Sequence, residues 1–150
     1  MKLIFLDIDG VLVTARTLKG RSGLRAVADP ACVAALNYIT DTTGAKIVIS
    51  SSWRFCGLEE MRLILKHWNV TADVIGMTPD LTRKVLNVYS AVPRIREVCA
   101  WLHSEIDDVD AWIAIDDDSD FEGYEHRLVK TVFECGLTMS DAEKAIGMLK

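Results

Sequence analysis

The chain has little of what marks a specialised scaffold. No apolar run in its 150 residues approaches the roughly 20 that a bilayer-spanning helix requires. The first such run, residues 3–6, stops at Asp7, so neither a membrane span nor a leader peptide is expected. The cysteines, Cys32, Cys56, Cys99 and Cys135, are scattered with no CxxC, which excludes a disulfide framework and suits free thiols in a reducing cytoplasm. His67, His103 and His126 lack metal-ligand spacing and read as structural. There is no internal repeat and no Pro/Gly/Ser-rich linker, so one domain over residues 1–150 is expected. Basic residues are the minority, 17 against 22 acidic, and the net charge of -5 argues against a general nucleic-acid-coating protein. What is present is apolar: half of the residues, enough for a sizeable core.

Five short apolar runs, at residues 3–6, 46–49, 73–75, 111–115 and 128–132, are rich in Ile, Val, Leu and Ala. They predict strands buried on both faces of a parallel sheet. Helical patterns lie between them. Asp29 before Pro30 is an N-cap followed by proline at the first helical position, and Gly44 closes that helix. Met61, Leu65 and Trp68 share one helical face, as do Ile95, Val98 and Leu102. Ser140 to Glu143 reads as a capping box opening a last helix that buries Ala145, Ile146 and Leu149. This alternation predicts a doubly wound, Rossmann-like α/β fold: a mainly parallel five-stranded sheet, helices on both faces, and a site at the carboxyl ends of the strands.

The chemistry falls at those ends. The first strand runs into Asp7, Asp9 and Gly10, the second into Ser50, Ser51, Ser52, Trp53 and Arg54, and the fourth into Asp116, Asp117 and Asp118 with Asp120 beyond. Carboxylates crowded at one rim repel by about 4 kcal/mol per close pair at an effective dielectric near 20. A cation must sit among them, and oxygen ligands without His or Cys favour Mg²⁺ over zinc.

Asp-x-Asp-Gly-Val after the first strand, serine after the second, a basic residue before the fourth and paired Asp after it resemble the haloacid dehalogenase superfamily, in its phosphatase branch. The SSWR string, Arg94-x-x-Glu97-Val98 and Trp101-Leu102 are similar to the small phosphatase domains associated with RNA repair proteins. The resemblance implies a phosphoric monoester hydrolase with Asp7 as nucleophile, forming an aspartyl phosphate, and Asp9 as general acid and base. It implies a phosphoryl contact from Ser51 with the Ser52 N–H beside it, and a neutralising charge from Arg94. It also implies a Mg²⁺ site of Asp7, Asp116, Asp117 and the backbone carbonyl of Asp9. Ser50 in place of Ser51, and Lys84 in place of Arg94, stay open as alternatives.

Residues 10–49 and 76–93 leave no room for a large cap domain, and capless members of the superfamily act on bulky or macromolecular phosphates. Residues 10–28 hold Arg16, Lys19, Arg21 and Arg25 and no acidic residue, so a basic hairpin flap is expected beside the metal. With Arg54 it would hold a nucleic-acid end or another highly anionic ester. Trp53 is the aromatic expected to touch substrate, whereas Trp68, Trp101 and Trp112 are expected to pack. Three rivals remain. A small-molecule nucleotidase shares the chemistry, and a degenerate member would bind a phosphorylated partner without turnover. A receiver domain would need its accepting Asp after the third strand, where Gly76-Met77-Thr78-Pro79 stands instead.

Overall fold

The computed structural model describes residues 1–18, 26–105 and 108–150. Its five-stranded sheet runs in the order Val74–Met77, Lys46–Ile49, Lys2–Leu6, Ala111–Asp116, Leu128–Lys130, and every pairing is parallel. The strands are β1 (Lys2–Leu6), β2 (Lys46–Ile49), β3 (Val74–Met77), β6 (Ala111–Asp116) and β7 (Leu128–Lys130). Among the described residues, five α-helices accompany them: α1 (Ala15–Leu18), α2 (Pro30–Thr43), α3 (Leu58–His67), α4 (Arg94–Glu105) and α5 (Met139–Met148).

Successive side chains of a strand point to opposite faces, and the core divides accordingly. Ile4, Leu6, Ile47, Ile49, Ile113 and Ile115 pack with Val33, Leu36 and Ile39 of α2, Met61 and Leu65 of α3, and Ala145 and Ile146 of α5. Leu3, Phe5, Val48 and Ala114 face the other way, onto Ile95, Val98 and Trp101 of α4. On that second face the Phe5 ring meets Trp101 and Trp112 edge-on, at 5.6 and 5.7 Å between centroids. The sheet is therefore covered on both faces, as its unbroken apolar runs require.

The caps follow the chemistry of their residues. The Asp29 side chain accepts the Ala31 N–H at 3.0 Å, and Gly44 ends α2 in the left-handed region at φ 69. The last helix starts earlier than expected from Ser140. Thr138 is its N-cap and Asp141 its N3 residue, each side chain accepting the other's backbone N–H, so the box is Thr-x-x-Asp.

Two segments differ from expectation. Residues 83–90 form an antiparallel hairpin, β4 (Arg83–Val85) with β5 (Val88–Ser90), where no folded element was expected. Its two-residue turn is Leu86-Asn87, both at positive φ, 49 and 64. That is the primed-turn geometry that matches strand twist. Of the flap expected at residues 10–28, residues 10–18 make a tight turn and the single helical turn α1. Lys19, Arg21 and Arg25 of the expected flap lie outside the described residues.

Candidate active site

Register brings the strand ends together. β1 pairs β6 with Leu6 opposite Ile115, and pairs β2 with Leu6 opposite Ile49. One residue further along, Asp7 lies between Asp116 and Ser50. The ladder continues to that row: Asp7 N–H donates to the Ile115 carbonyl at 3.0 Å, Ser50 N–H to the Leu6 carbonyl at 2.8 Å, and Thr78 N–H to the Ile49 carbonyl at 2.8 Å.

Asp7, Asp116 and Asp117 each offer an oxygen within 4.8 Å of the others'. Asp7 and Asp116 are buried, at 7% and 2% exposure, so their charges are poorly hydrated. Burial pushes the Asp7 carboxyl above the usual carboxylate range; the Arg94 cation, the Ser51 hydroxyl and the Ile8 N–H pull it back, and the Asp117 charge adds to the rise. Asp116 is raised by burial and then by Asp7, with the Asp118 N–H and Arg94 opposing. Asp117 is raised mainly by burial. At 4.8 Å two carboxylates repel by about 3.5 kcal/mol at an effective dielectric of 20. A hard cation held by oxygen removes that repulsion, so this donor set fits Mg²⁺.

Gly10 permits the cluster to close. It sits at φ 77, and a Cβ there would lie 2.3 Å from Asp117 Oδ2 and 2.7 Å from Asp117 Cβ. Only glycine combines that conformation with that approach. The Thr131 hydroxyl donates to the Gly10 carbonyl at 2.7 Å and ties the turn to the residue after β7.

The serines divide their work. The Ser51 hydroxyl lowers the Asp7 pKa and accepts the Trp53 N–H at 3.3 Å. Ser50 Oγ is buried with no hydrogen-bond partner among the described residues. Ser52 opens the 3-10 turn Ser52–Cys56 and is exposed.

Arg94, the first residue of α4, has Nε 3.7 Å from Asp116 Oδ2 and Nη1 3.7 Å from Glu97 Oε2. Its backbone N–H donates to Asp120 Oδ2 at 2.8 Å. Of the alternative, Lys84, only the backbone is described, in β4.

Arg54 is placed otherwise than expected of a substrate contact. Its guanidinium grips Glu97 with both arms, at 2.7 and 2.9 Å, and donates to the Thr78 hydroxyl at 3.2 Å. Arg16 pairs with Asp29 at 2.9 Å, although most of its side chain stays exposed. Trp53, expected to touch substrate, is buried at 3% exposure, and its indole N–H donates to Asp9 Oδ2 at 3.0 Å.

Glu97 stands in the Arg94-x-x-Glu97-Val98 string without an expected role of its own. Its carboxylate is 2% exposed and accepts from Arg54 and from the Leu81 N–H at 3.1 Å. A signal existed, because an acid three residues after Arg94 and four before Trp101 lies on the buried stripe of α4. A cleft of about 700 Å³ is lined by Arg62, Lys66, Asn69 and Asp73. It sits by the amino end of β3 and includes none of these residues, so it is remote from the carboxylates.

Residues 3–142 match the family described as the HAD domain in Swiss Army Knife RNA repair proteins. The chain belongs to this family of the haloacid dehalogenase superfamily. A chain of the solved Pnkp1/Rnl/Hen1 complex has the same fold, with a TM-score of 0.52 at 17% identity over 91% of this chain. The aligned part is 46% of that chain, so this protein spans about half the length of that relative. No curated protein sequence matches the chain. No helix among the described residues is long and apolar enough to cross a membrane.

Proposed function

We propose that the chain is, over residues 1–150, a single-domain Mg²⁺-dependent phosphatase that hydrolyses a phosphate monoester through an aspartyl phosphate on Asp7. The observation that carries this reading is the convergence of Asp7, Asp116 and Asp117 within 4.8 Å at the strand ends. Arg94 supports it from 3.7 Å. Asp7 Oδ1 accepts the Ile8 N–H at 2.8 Å, which fixes the carboxylate and leaves Oδ2 for attack. As the bond from Asp7 to phosphorus forms, the ester bond breaks and Asp9 delivers its proton to the leaving oxygen. Water then attacks phosphorus, Asp9 takes the water's proton, the bond to Asp7 breaks and inorganic phosphate departs. Ser51 and the unpartnered Ser50 hydroxyl would donate to phosphoryl oxygens, with the Ser52 N–H beside them, and Arg94 would offset their charge. Asp7, Asp116, Asp117 and the Asp9 carbonyl would hold Mg²⁺, which would supply the positive charge that lets an anionic ester approach an anionic nucleophile.

The substrate we infer is a bulky or polyanionic ester such as a nucleic-acid end. The family's description as a domain of RNA repair proteins supports this. Arg16, with Lys19 and Arg21, is the basic segment proposed to attract it. Arg54, already held by Glu97, Thr78 and Asp80, is better suited to supporting the site than to meeting substrate.

The test is phosphate release from 3′- and 5′-phosphorylated oligonucleotides and from mononucleotides. The oligonucleotide ends should be preferred, chelator should abolish release, and Asp7→Asn should cost at least about 10⁴-fold. Equal rates on mononucleotides would make it a small-molecule nucleotidase, and an Asp7→Asn variant of wild-type rate would refute the covalent route.

A further inference from the structure

Trp53 faces away from solvent, yet its one polar atom is aimed at the carboxylate assigned to proton transfer. Nε1 lies 3.0 Å from Asp9 Oδ2, and the ring is 3% exposed. The indole is clamped from two sides. Trp68 meets it edge-on at 5.5 Å between centroids, and the Trp53 backbone N–H is held by the Ser51 hydroxyl at 3.3 Å. One short turn thus presents Ser51 to Asp7 and Trp53 to Asp9.

We propose that Trp53 is a positioning residue that fixes which oxygen of Asp9 exchanges a proton with substrate and water. This rests on the reading of Asp9 as general acid and base. An indole N–H can donate but never accept. The oxygen it holds must therefore be an acceptor whether Asp9 is charged or neutral, and the transferable proton is confined to Oδ1. An unrestrained carboxyl would present either oxygen and lose time in unproductive rotamers. A neutral donor achieves this restraint without adding a counter-charge beside the acid. The residue thus works through Asp9 and does not touch the ester.

Trp53→Phe keeps a ring against Trp68 and removes only the donor. The readout is single-turnover release of the leaving group from two esters, an alkyl phosphate that needs its oxygen protonated and 4-nitrophenyl phosphate that does not. The ratio of the two rates is independent of how much enzyme is folded. The expected result is an alkyl ester rate down about 10- to 100-fold, a nitrophenyl rate within about 3-fold of wild type, and an unchanged KM. Trp68→Phe, which loosens the clamp but keeps the N–H, should lower Tm without changing the ratio. An equal fall on both esters, or a ratio change as large in Trp68→Phe, would overturn the proposal. Asp9→Asn separates the two levels of inference. If it shows the leaving-group dependence and Trp53→Phe does not, only the role of Trp53 fails. If Asp9→Asn lacks it, the general-acid assignment fails and the role of Trp53 falls with it.

Discussion

Replacing Gly10 by alanine should damage metal binding as well as stability, and a second glycine supplies the control. Gly10 and Gly44 have nearly the same backbone, φ 77 and 69, but a Cβ at 44 meets nothing within 4 Å, whereas at 10 it lies 2.3 Å from Asp117 Oδ2. Left-handed alanine costs about 1–2 kcal/mol, partly offset by about 0.4–1 kcal/mol from a stiffer unfolded chain. Gly44→Ala should therefore lose about 1 kcal/mol, or about 2–4 °C in Tm. At position 10 there is a further cost. Carbon contacts need about 3.5 Å, so Asp117 must retreat by about 1 Å. Rotating its side chain cannot relieve this, because its Cβ is also only 2.7 Å away. Overpacking of this kind adds about 1–3 kcal/mol. A misplacement near 1 Å in a reacting constellation costs about 10²-fold in rate. Thermal melts, together with phosphate release across a Mg²⁺ titration, measure both effects. Gly44→Ala should keep wild-type activity per folded molecule, while Gly10→Ala should need more Mg²⁺ and turn over slowly even when saturated. Equal Tm losses for the two variants with unchanged turnover in Gly10→Ala would show that Asp117 does not depend on this approach.

Glu97→Ala strips the Arg54 guanidinium of its two-armed partner, and breaking a buried ion pair costs about 3–5 kcal/mol. Since the Arg54 side chain keeps 13% exposure, the lower end is expected in urea denaturation, and a loss under about 1 kcal/mol would mean Thr78 and Asp80 suffice. Asp117→Asn relieves like-charge repulsion, so the metal-free protein should melt higher than wild type. It should also lose most of the stabilisation, about 2.7 kcal/mol, that wild type gains when Mg²⁺ is 100-fold above its Kd. A lower metal-free Tm would contradict the repulsion.

Much of the fold was legible because a parallel sheet buried on both faces writes itself as unbroken apolar runs, and all five predicted runs became strands. Asp7, Ser50 and Asp116 were locatable because each ends such a run. The hairpin at 83–90 was missed because its turn is Leu86-Asn87, with a bulky residue at φ 49 where Asn-Gly is the usual signal. Trp53 was misjudged because its neighbours in sequence are polar, whereas Trp68, which covers it, lies on α3's side of the core and has no local trace at position 53. Arg54 looked available for an anion because Glu97 is 43 residues away in the chain. Partners brought together only by tertiary packing have no periodic signature.

Those long-range partners share one electrostatic logic. Arg54 meets Glu97, Glu97 meets Arg94, and Arg94 meets Asp116 beside Asp7, so charge alternates along the chain of contacts. The alternation fails at its end. Among the described residues, the Arg94 guanidinium, 3.7 Å from Asp116 and already shared with Glu97, is the cation paired with the cluster of Asp7, Asp116 and Asp117. The surplus negative charge would repel a phosphate ester arriving alone, and a divalent cation converts the same surplus into an attractive site. Asp9 stands outside this chain, held by the neutral N–H of Trp53. On the proposed mechanism that separation matters. The nucleophile needs charge compensation to approach phosphorus, whereas the acid and base needs one oxygen kept in place, which an N–H that only donates does whether or not the other oxygen carries a proton.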